Sequence, residues 1–303
     1  MSFRITQESI KRTTLSNINI NLKKMMEIQE KLSTGKQINR PSDDPSGTRK
    51  VLGLKGEESQ VQQYLDNAMA AKEQIDFTYN TLDGIQDIIF QIKSLTMQAS
   101  NDTLGQQERN IIAAELNELM ESILQNVNTN NNGRYLFSGT KTSTSPFTAT
   151  RDSNGKISSV SYNGNNEEIK YQTGSDTYMQ VNTPGGALFQ NNAIFSTLTS
   201  LRDELESSTY DSSTFLGLRN NLDTATNTLL TEVTTLGAKA NRLELTANSL
   251  NSSLVALKEL ISYTEDADIA SLIMDLKNQE NVLQSSLETG ARIIQPSLLD
   301  FLR

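Results

Sequence analysis

Asp43 and Asp44 are the residues whose types most invite a chemical role, because paired carboxylates serve general acid–base work and bind hard metal ions. Their spacing argues otherwise. Adjacent side chains do not converge on one point in a helix or a strand, and no alternating-carboxylate calcium loop surrounds them. Ser42 and Pro45 flank the pair, so Asp44 reads as an N-cap with Pro45 at the first helical position. Gly53-Leu54-Lys55-Gly56 matches neither phosphate-loop pattern and reads as a weak spot in a helix or a helix break. Serines are plentiful, yet there is no Gly-x-Ser-x-Gly and no histidine to serve as their base. Met25, Met26 and Met69 accompany apolar stripes, where packing or adaptable contact between subunits is their expected use.

Composition points the same way. The 303 residues include no His, no Cys and no Trp. The chain therefore lacks the side chain that titrates near neutrality unaided and the soft metal ligand that doubles as a strong nucleophile. No catalytic, cofactor-binding or metal-ligating residue is expected, and a carboxylate-only hydrolase is the one enzymatic option left open. Without cysteine there is no disulfide, so the fold is indifferent to redox compartment. A net charge of −9 argues against nucleic acid or an anionic membrane as partner. The basic pairs Lys11-Arg12, Lys23-Lys24 and Arg49-Lys50 are too short to make a patch. No run approaches the roughly 18–20 apolar residues of a membrane span. Met1-Ser2-Phe3-Arg4-Ile5 has no apolar core of a secretory signal, so any export is expected to use another route.

The elements that would position these residues are mostly helical. From Leu222 to Ile261 apolar or small residues alternate spacings of four and three without a break, a heptad seam about 60 Å long. Val61, Leu65, Ala68, Lys72, Ile75, Tyr79 and Leu82 follow the same rule. A phase slip is expected before Ile85, Ile88, Ile92, Leu95 and Ala99. Thr103 and Gln106 have capping-box spacing ahead of Ile112, Leu116, Leu119, Ile123 and Val127.

Two terminal helices carry single stripes, Leu15, Ile18, Leu22, Met25, Gln29 and Leu32 at one end and Ile269, Leu272, Leu276, Gln279 and Leu283 at the other. They should pair, marginally when alone, and order fully only on assembly. Leu32-Ser33-Thr34-Gly35 reads as a helix end, and Lys36–Ser42, including Asn39 and Pro41, as a hinge-like linker. Asn128 to Asn192 is rich in Asn, Thr, Ser and Gly. Short strands are expected at Arg134–Phe137, Ile157–Tyr162, Ile169–Gln172 and Tyr178–Val181, with Asn163–Asn166 as a hairpin turn between the middle two. The expected fold is mainly α, an elongated helical bundle or coiled coil formed by the two halves, with a small β-rich insert. Its parts are terminal helices at 1–35 and 264–303, a bundle at 36–132 and 193–263, and the insert at 133–192.

The run from Leu32 to Pro45, Leu-Ser-Thr-Gly-Lys-Gln-Ile-Asn-Arg-Pro-Ser-Asp-Asp-Pro, resembles the N-terminal signature of the bacterial flagellin family. Its Pro41-Ser42-Asp43-Asp44-Pro45 departs from flagellin itself and is similar to the hook-associated branch. Gly133–Thr142 with Pro146-Phe147, and the ending Pro296–Leu302, resemble the same branch. Glu265-Asp266-Ala267-Asp268 is similar to the start of the family's last helix.

This resemblance implies a secreted structural subunit of the flagellum, exported unfolded by the flagellum's own type III apparatus. It implies a ring of copies at the hook–filament junction, between the first hook-associated protein and flagellin. An export chaperone would hold the C-terminal helix. The terminal helices would line the inner core, and the β-rich insert would face outward. The assembly interface is then expected at Leu15, Ile18, Leu22, Met25, Leu276, Leu283, Leu298, Leu299, Phe301 and Leu302. Flagellin, the filament subunit, is the alternative; a coiled-coil tip protein of a virulence secretion system would not carry the Asn39–Pro45 run.

Overall fold

The seam between Leu222 and Ile261 lies on one unbroken helix. In the computed structural model, which describes residues 7–101, 104–191 and 193–294, α1 spans Gln7–Thr34, α2 Pro45–Ala99 and α3 Gln106–Val127. Further on, α4 spans Ile194–Glu206, α5 Ser212–Glu265 and α6 Ile269–Ile294. With 55 and 54 residues, α2 and α5 are each about 80 Å long. Among the described residues no helix is long and apolar enough to cross a membrane. The chain divides into two compact units, Met1–Gln60 with Ser253–Arg303, and Val61–Ser252.

Within the second unit α2 and α5 run antiparallel. Lys93 Nζ lies 2.6 Å from Asp223 Oδ1, and Lys72 Nζ lies 4.0 Å from Glu244 Oε2. Twenty-one residues separate the two lysines and twenty-one the two acids, three heptads on each helix counted in opposite directions. Along α5 every expected seam position is buried or half-buried.

On α2 the expected phase slip is absent. The buried series is Tyr64, Ala68, Ala71, Ile75, Thr78, Leu82, Ile85, Ile89, Ile92, Thr96 and Ala99, alternating four and three throughout. Leu65, Lys72, Tyr79, Ile88 and Leu95 sit on its flank and are half-buried. Side-chain size misleads here because the seam contains two threonines. Thr78 Oγ1 donates to the Gln74 carbonyl and Thr96 Oγ1 to the Lys93 carbonyl, each at 2.9 Å. Their hydroxyls are satisfied within the helix, so burying them leaves no polar group unpaired.

The start of α3 also differs from expectation. Gly105 is its N-cap, Gln106 its first residue, and Thr103 lies outside the described residues. α3 packs against α4. Arg202 of α4 is buried and donates to Asn117 Oδ1 at 3.0 Å and to the Ile157 carbonyl at 2.6 Å. One guanidinium thereby ties α4 to α3 and to the β region.

Six short strands follow α3: β1 Asn130–Asn131, β2 Arg134–Tyr135, β3 Phe147–Arg151, β4 Ile157–Tyr162, β5 Lys170–Gln172 and β6 Tyr178–Gln180. They pair antiparallel as β1–β2, β3–β4 and β5–β6. The turn expected at Asn163–Asn166 therefore joins no hairpin. That loop docks instead on residues 138–140. Asn165 N–H donates to the Ser138 carbonyl at 3.1 Å, and Asn165 Oδ1 accepts from Thr140 N–H at 2.8 Å. The real tight turns are Asn132-Gly133, both at positive φ, and Asp152–Gly155, where Asp152 Oδ1 accepts from the Asn154 and Lys156 N–H groups. Under the strands Phe137 and Phe147 each meet Phe189 edge-on at 5.6 Å. These rings belong to the same apolar core as the α2 and α5 seams.

The register of α2 can be tested by truncation. Ile89→Ala should destabilise the chain by about 2–5 kcal/mol in urea unfolding, and Ile88→Ala by at least ~1 kcal/mol less. The reverse order would restore the slipped phase.

Candidate assembly interface

The first unit is built on α1 and α6, which pack antiparallel. The face of α1 turned to its partner is Thr14, Ile18, Asn21, Met25, Ile28 and Leu32. The answering face of α6 is Leu272, Leu276, Gln279, Leu283, Ser286 and Gly290. Asn21 Nδ2 donates to Ser286 Oγ at 3.0 Å, and Gln279 Nε2 donates to the Asn21 carbonyl at 3.1 Å. Gly290 allows a close approach: a Cβ there would lie 3.2 Å from Thr14 Cγ2 and 3.3 Å from Ile18 Cδ1. The seam is small and partly polar. No described side chain of α1 is fully buried.

Of the residues expected at the interface, Ile18, Met25, Leu276 and Leu283 lie half-buried in this seam. Leu15 and Leu22 do not; they are 53% and 41% exposed. Gln29 is exposed while its neighbour Ile28 packs inward. The column 18, 25, 32 has an apolar flank on one side at 15 and 22 and a mixed one on the other at 14, 21 and 28, and periodicity alone does not say which turns inward. Leu298, Leu299, Phe301 and Leu302 fall outside the described residues. The pair thus keeps a second apolar edge in the open, with Leu15, Leu22 and Met26 on α1, and α6 exposes Met274, Val282 and Leu287.

Where the pair meets the long helices, the two connections are stitched together. Gly35, at φ +70°, ends α1. Its carbonyl accepts from Ala267 N–H at 2.9 Å, and Gln37 N–H donates to the Glu265 carbonyl at 2.8 Å. Between these backbone bonds sits the Glu265 carboxylate, only 8% exposed. Lys36 Nζ lies 2.7 Å from its Oε1 and Lys55 Nζ 2.7 Å from its Oε2. Burial works against the charge, but the hydrogen bonds and charges of the two lysines outweigh it and hold this carboxyl below the ordinary glutamate range.

The rest of the connection is equally bound. Arg40 Nη2 donates to both oxygens of Glu30 at 2.8 and 3.1 Å. Asp43 Oδ2 accepts from the Arg40 and Asn39 N–H groups at 2.8 and 3.1 Å, and these bonds hold its pKa below the usual carboxylate value. Asn39 Nδ2 donates to the Lys36 carbonyl, and Asp44 Oδ1 accepts from Ser46 N–H at 3.0 Å. Pro45 opens α2, where its missing N–H has no partner to lose. Pro41 is exposed on the turn. The stretch expected as a hinge is therefore a fixed corner. Glu265, Lys36 and Lys55 were not foreseen as a group, because no local pattern signals an ion triad across more than two hundred residues.

These helices are those of a known family. Residues 5–142 match the bacterial flagellin N-terminal helical region and residues 220–302 the bacterial flagellin C-terminal helical region, together most of the chain. The chain belongs to the bacterial flagellin family. Within it, matches over most of both chains include a hook-associated protein and the flagellar filament 33 kDa core protein of Treponema phagedenis, the latter 25% identical over 96% of this chain and 95% of that protein. The chain is 29% identical to flagellar hook-associated protein 3 of Escherichia coli (strain K12) over 294 residues, 86% of this chain and 87% of that protein. Flagellin of Clostridium tyrobutyricum is 30% identical over 138 residues, 45% of this chain and 37% of that protein. The fold is shared with the flagellar junction protein FlgL of Legionella pneumophila at a TM-score of 0.59 and 16% identity, over 73% of this chain and 100% of that one.

The triad yields a pH signature. A depressed folded-state value means its contribution is complete above the ordinary glutamate pKa of about 4.3 and is lost as pH falls through the lower folded value. Glu265→Gln should lower the thermal midpoint at neutral pH and flatten its decline between about pH 5 and 3. Circular-dichroism melts with an unchanged slope would refute the assignment.

Proposed function

We propose that this chain is a non-catalytic structural subunit of the bacterial flagellum, placed at the hook–filament junction. The observation that carries this reading is the open apolar edge of the α1–α6 pair. Leu15 and Leu22 repeat at heptad spacing on a helix whose other face is already used. Such an edge marks a contact surface. Similarity to hook-associated protein 3 of Escherichia coli is higher over a comparable span, 29% identity against 25% for a filament core protein, which favours the junction over the filament.

In this reading copies of the chain form a ring, with the first hook-associated protein on one side and flagellin on the other. Neighbours cover the apolar edge that the α1–α6 pair leaves open, so burial and the entropy of ordering are settled together on assembly. The chain leaves the cell unfolded through the flagellum's own export apparatus. A chaperone holding α6 beforehand would cover Leu276 and Leu283, the residues that later face α1.

Leu15→Asp combined with Leu22→Asp should shift stability by only about 0.5 kcal/mol, since both sites are exposed, yet block incorporation. Deletion of Pro296–Arg303, outside the described residues, should do the same. Flagella isolated from cells expressing either variant would lack it, and motility would fall; full incorporation would sink the reading. The concentrated wild-type protein should form no long fibres under the electron microscope, whereas a filament subunit would.

A further inference from the structure

Most of the sixteen glycines in the chain answer a local need. Gly35, Gly133, Gly139 and Gly155 sit at positive φ. At Gly47, Gly164 and Gly186 an added Cβ would lie only 2.3 to 2.5 Å from a neighbouring atom. Five others have neither reason. At Gly53, Gly56, Gly84 and Gly217 an added Cβ would meet nothing within 4 Å, and at Gly237 it would lie 3.7 Å from Tyr79 Cε2, an ordinary contact. All five are interior to α2 or α5. Gly53 and Gly56 do not break α2, which runs from Pro45 to Ala99, but they weaken it. Glycine inside a helix is poorer than alanine by about fourfold in the folding equilibrium.

The open side of α5 shows the same preference. Thr224, Thr228, Thr231, Thr234 and Thr235 are all exposed, so no burial selects them, and threonine is another weak helix former. Each of their hydroxyls donates to the carbonyl four residues back. They tie α5 to no other element. The two longest helices are therefore less stable than their own packing would allow. Compounded over five glycines, the withheld factor is on the order of a thousandfold in the folding equilibrium.

We propose that Gly53, Gly56, Gly84, Gly217 and Gly237 keep α2 and α5 soft, so that a subunit that has already folded can still be drawn out into an extended chain for export. The two helices are the longest continuous elements in the fold, and they must come apart before the chain can pass a narrow conduit. That purpose rests on the export reading above; the withheld stability does not.

The test replaces all five glycines by alanine together in the full chain. The thermal midpoint of the purified variant, read by circular dichroism, should rise by roughly 10 °C. In cells, the amount of the variant recovered from flagella and medium should fall several-fold, with the remainder retained inside. A second variant adds Ile89→Ala, a core truncation that brings the midpoint back toward that of the wild type. Export should recover with it. An unchanged midpoint in the first variant would overturn the proposal, because the glycines would then withhold nothing. A raised midpoint with undiminished export would overturn it as well. So would export that stays low once Ile89→Ala has removed the added stability, since the glycines would then serve a contact rather than softness. Absence of the wild-type protein itself from flagella and medium would overturn the export reading and the purpose with it, while the midpoint still decides whether the glycines withhold stability.

Discussion

A carboxylate buried between two ammonium groups organises the first unit. Glu265 closes α5, Lys36 follows α1 and Lys55 lies in the second turn-pair of α2, so one side chain binds three segments that are remote in sequence. Removing either lysine leaves the largely buried carboxylate with a single counter-charge, and removing the carboxylate leaves two half-exposed ammonium groups facing each other. The backbone bonds around Gly35 and Ala267 supply direction, and the charges supply selectivity. From this corner α1 and α6 run side by side.

The long helices solve a different problem. A chain with 36% hydrophobic and 6% aromatic residues has little to fill a thick core. It builds a narrow one by stacking seams, and it can afford threonine in them because each hydroxyl returns its proton to the preceding turn. The large rings are kept for the junction of the β region with α4, where Phe137, Phe147, Phe189 and Phe195 meet.

Legibility in the sequence tracked locality. The seam of α5 was plain because large aliphatic residues mark it at every turn or two. The true phase of α2 was hidden by Ala71, Thr78 and Thr96, small members flanked by bulkier outsiders. In the β region Asn132-Gly133 and Asn154-Gly155 carried the turn signal, yet Asn163-Gly164, with the same composition, serves as a docking loop because its partners at 138–140 come from elsewhere in the chain. At the candidate interface the caps at Asp44 and Pro45 could be read from neighbours alone. The choice between the two flanks of α1, and the ion triad at the corner, depended on residues beyond the reach of any window.

The pairing of α1 with α6 joins Asn21 to Ser286, a separation of 265 residues. Closing so large a loop is a late event, since non-local contacts form only after the intervening chain is in place. During synthesis the first helix therefore waits, without its mate, until nearly the whole polypeptide exists. Until that mate arrives the inner stripe of Ile18, Met25 and Leu32 has no cover within the chain, so the growing polypeptide shows both faces of α1 where the finished one shows a single edge.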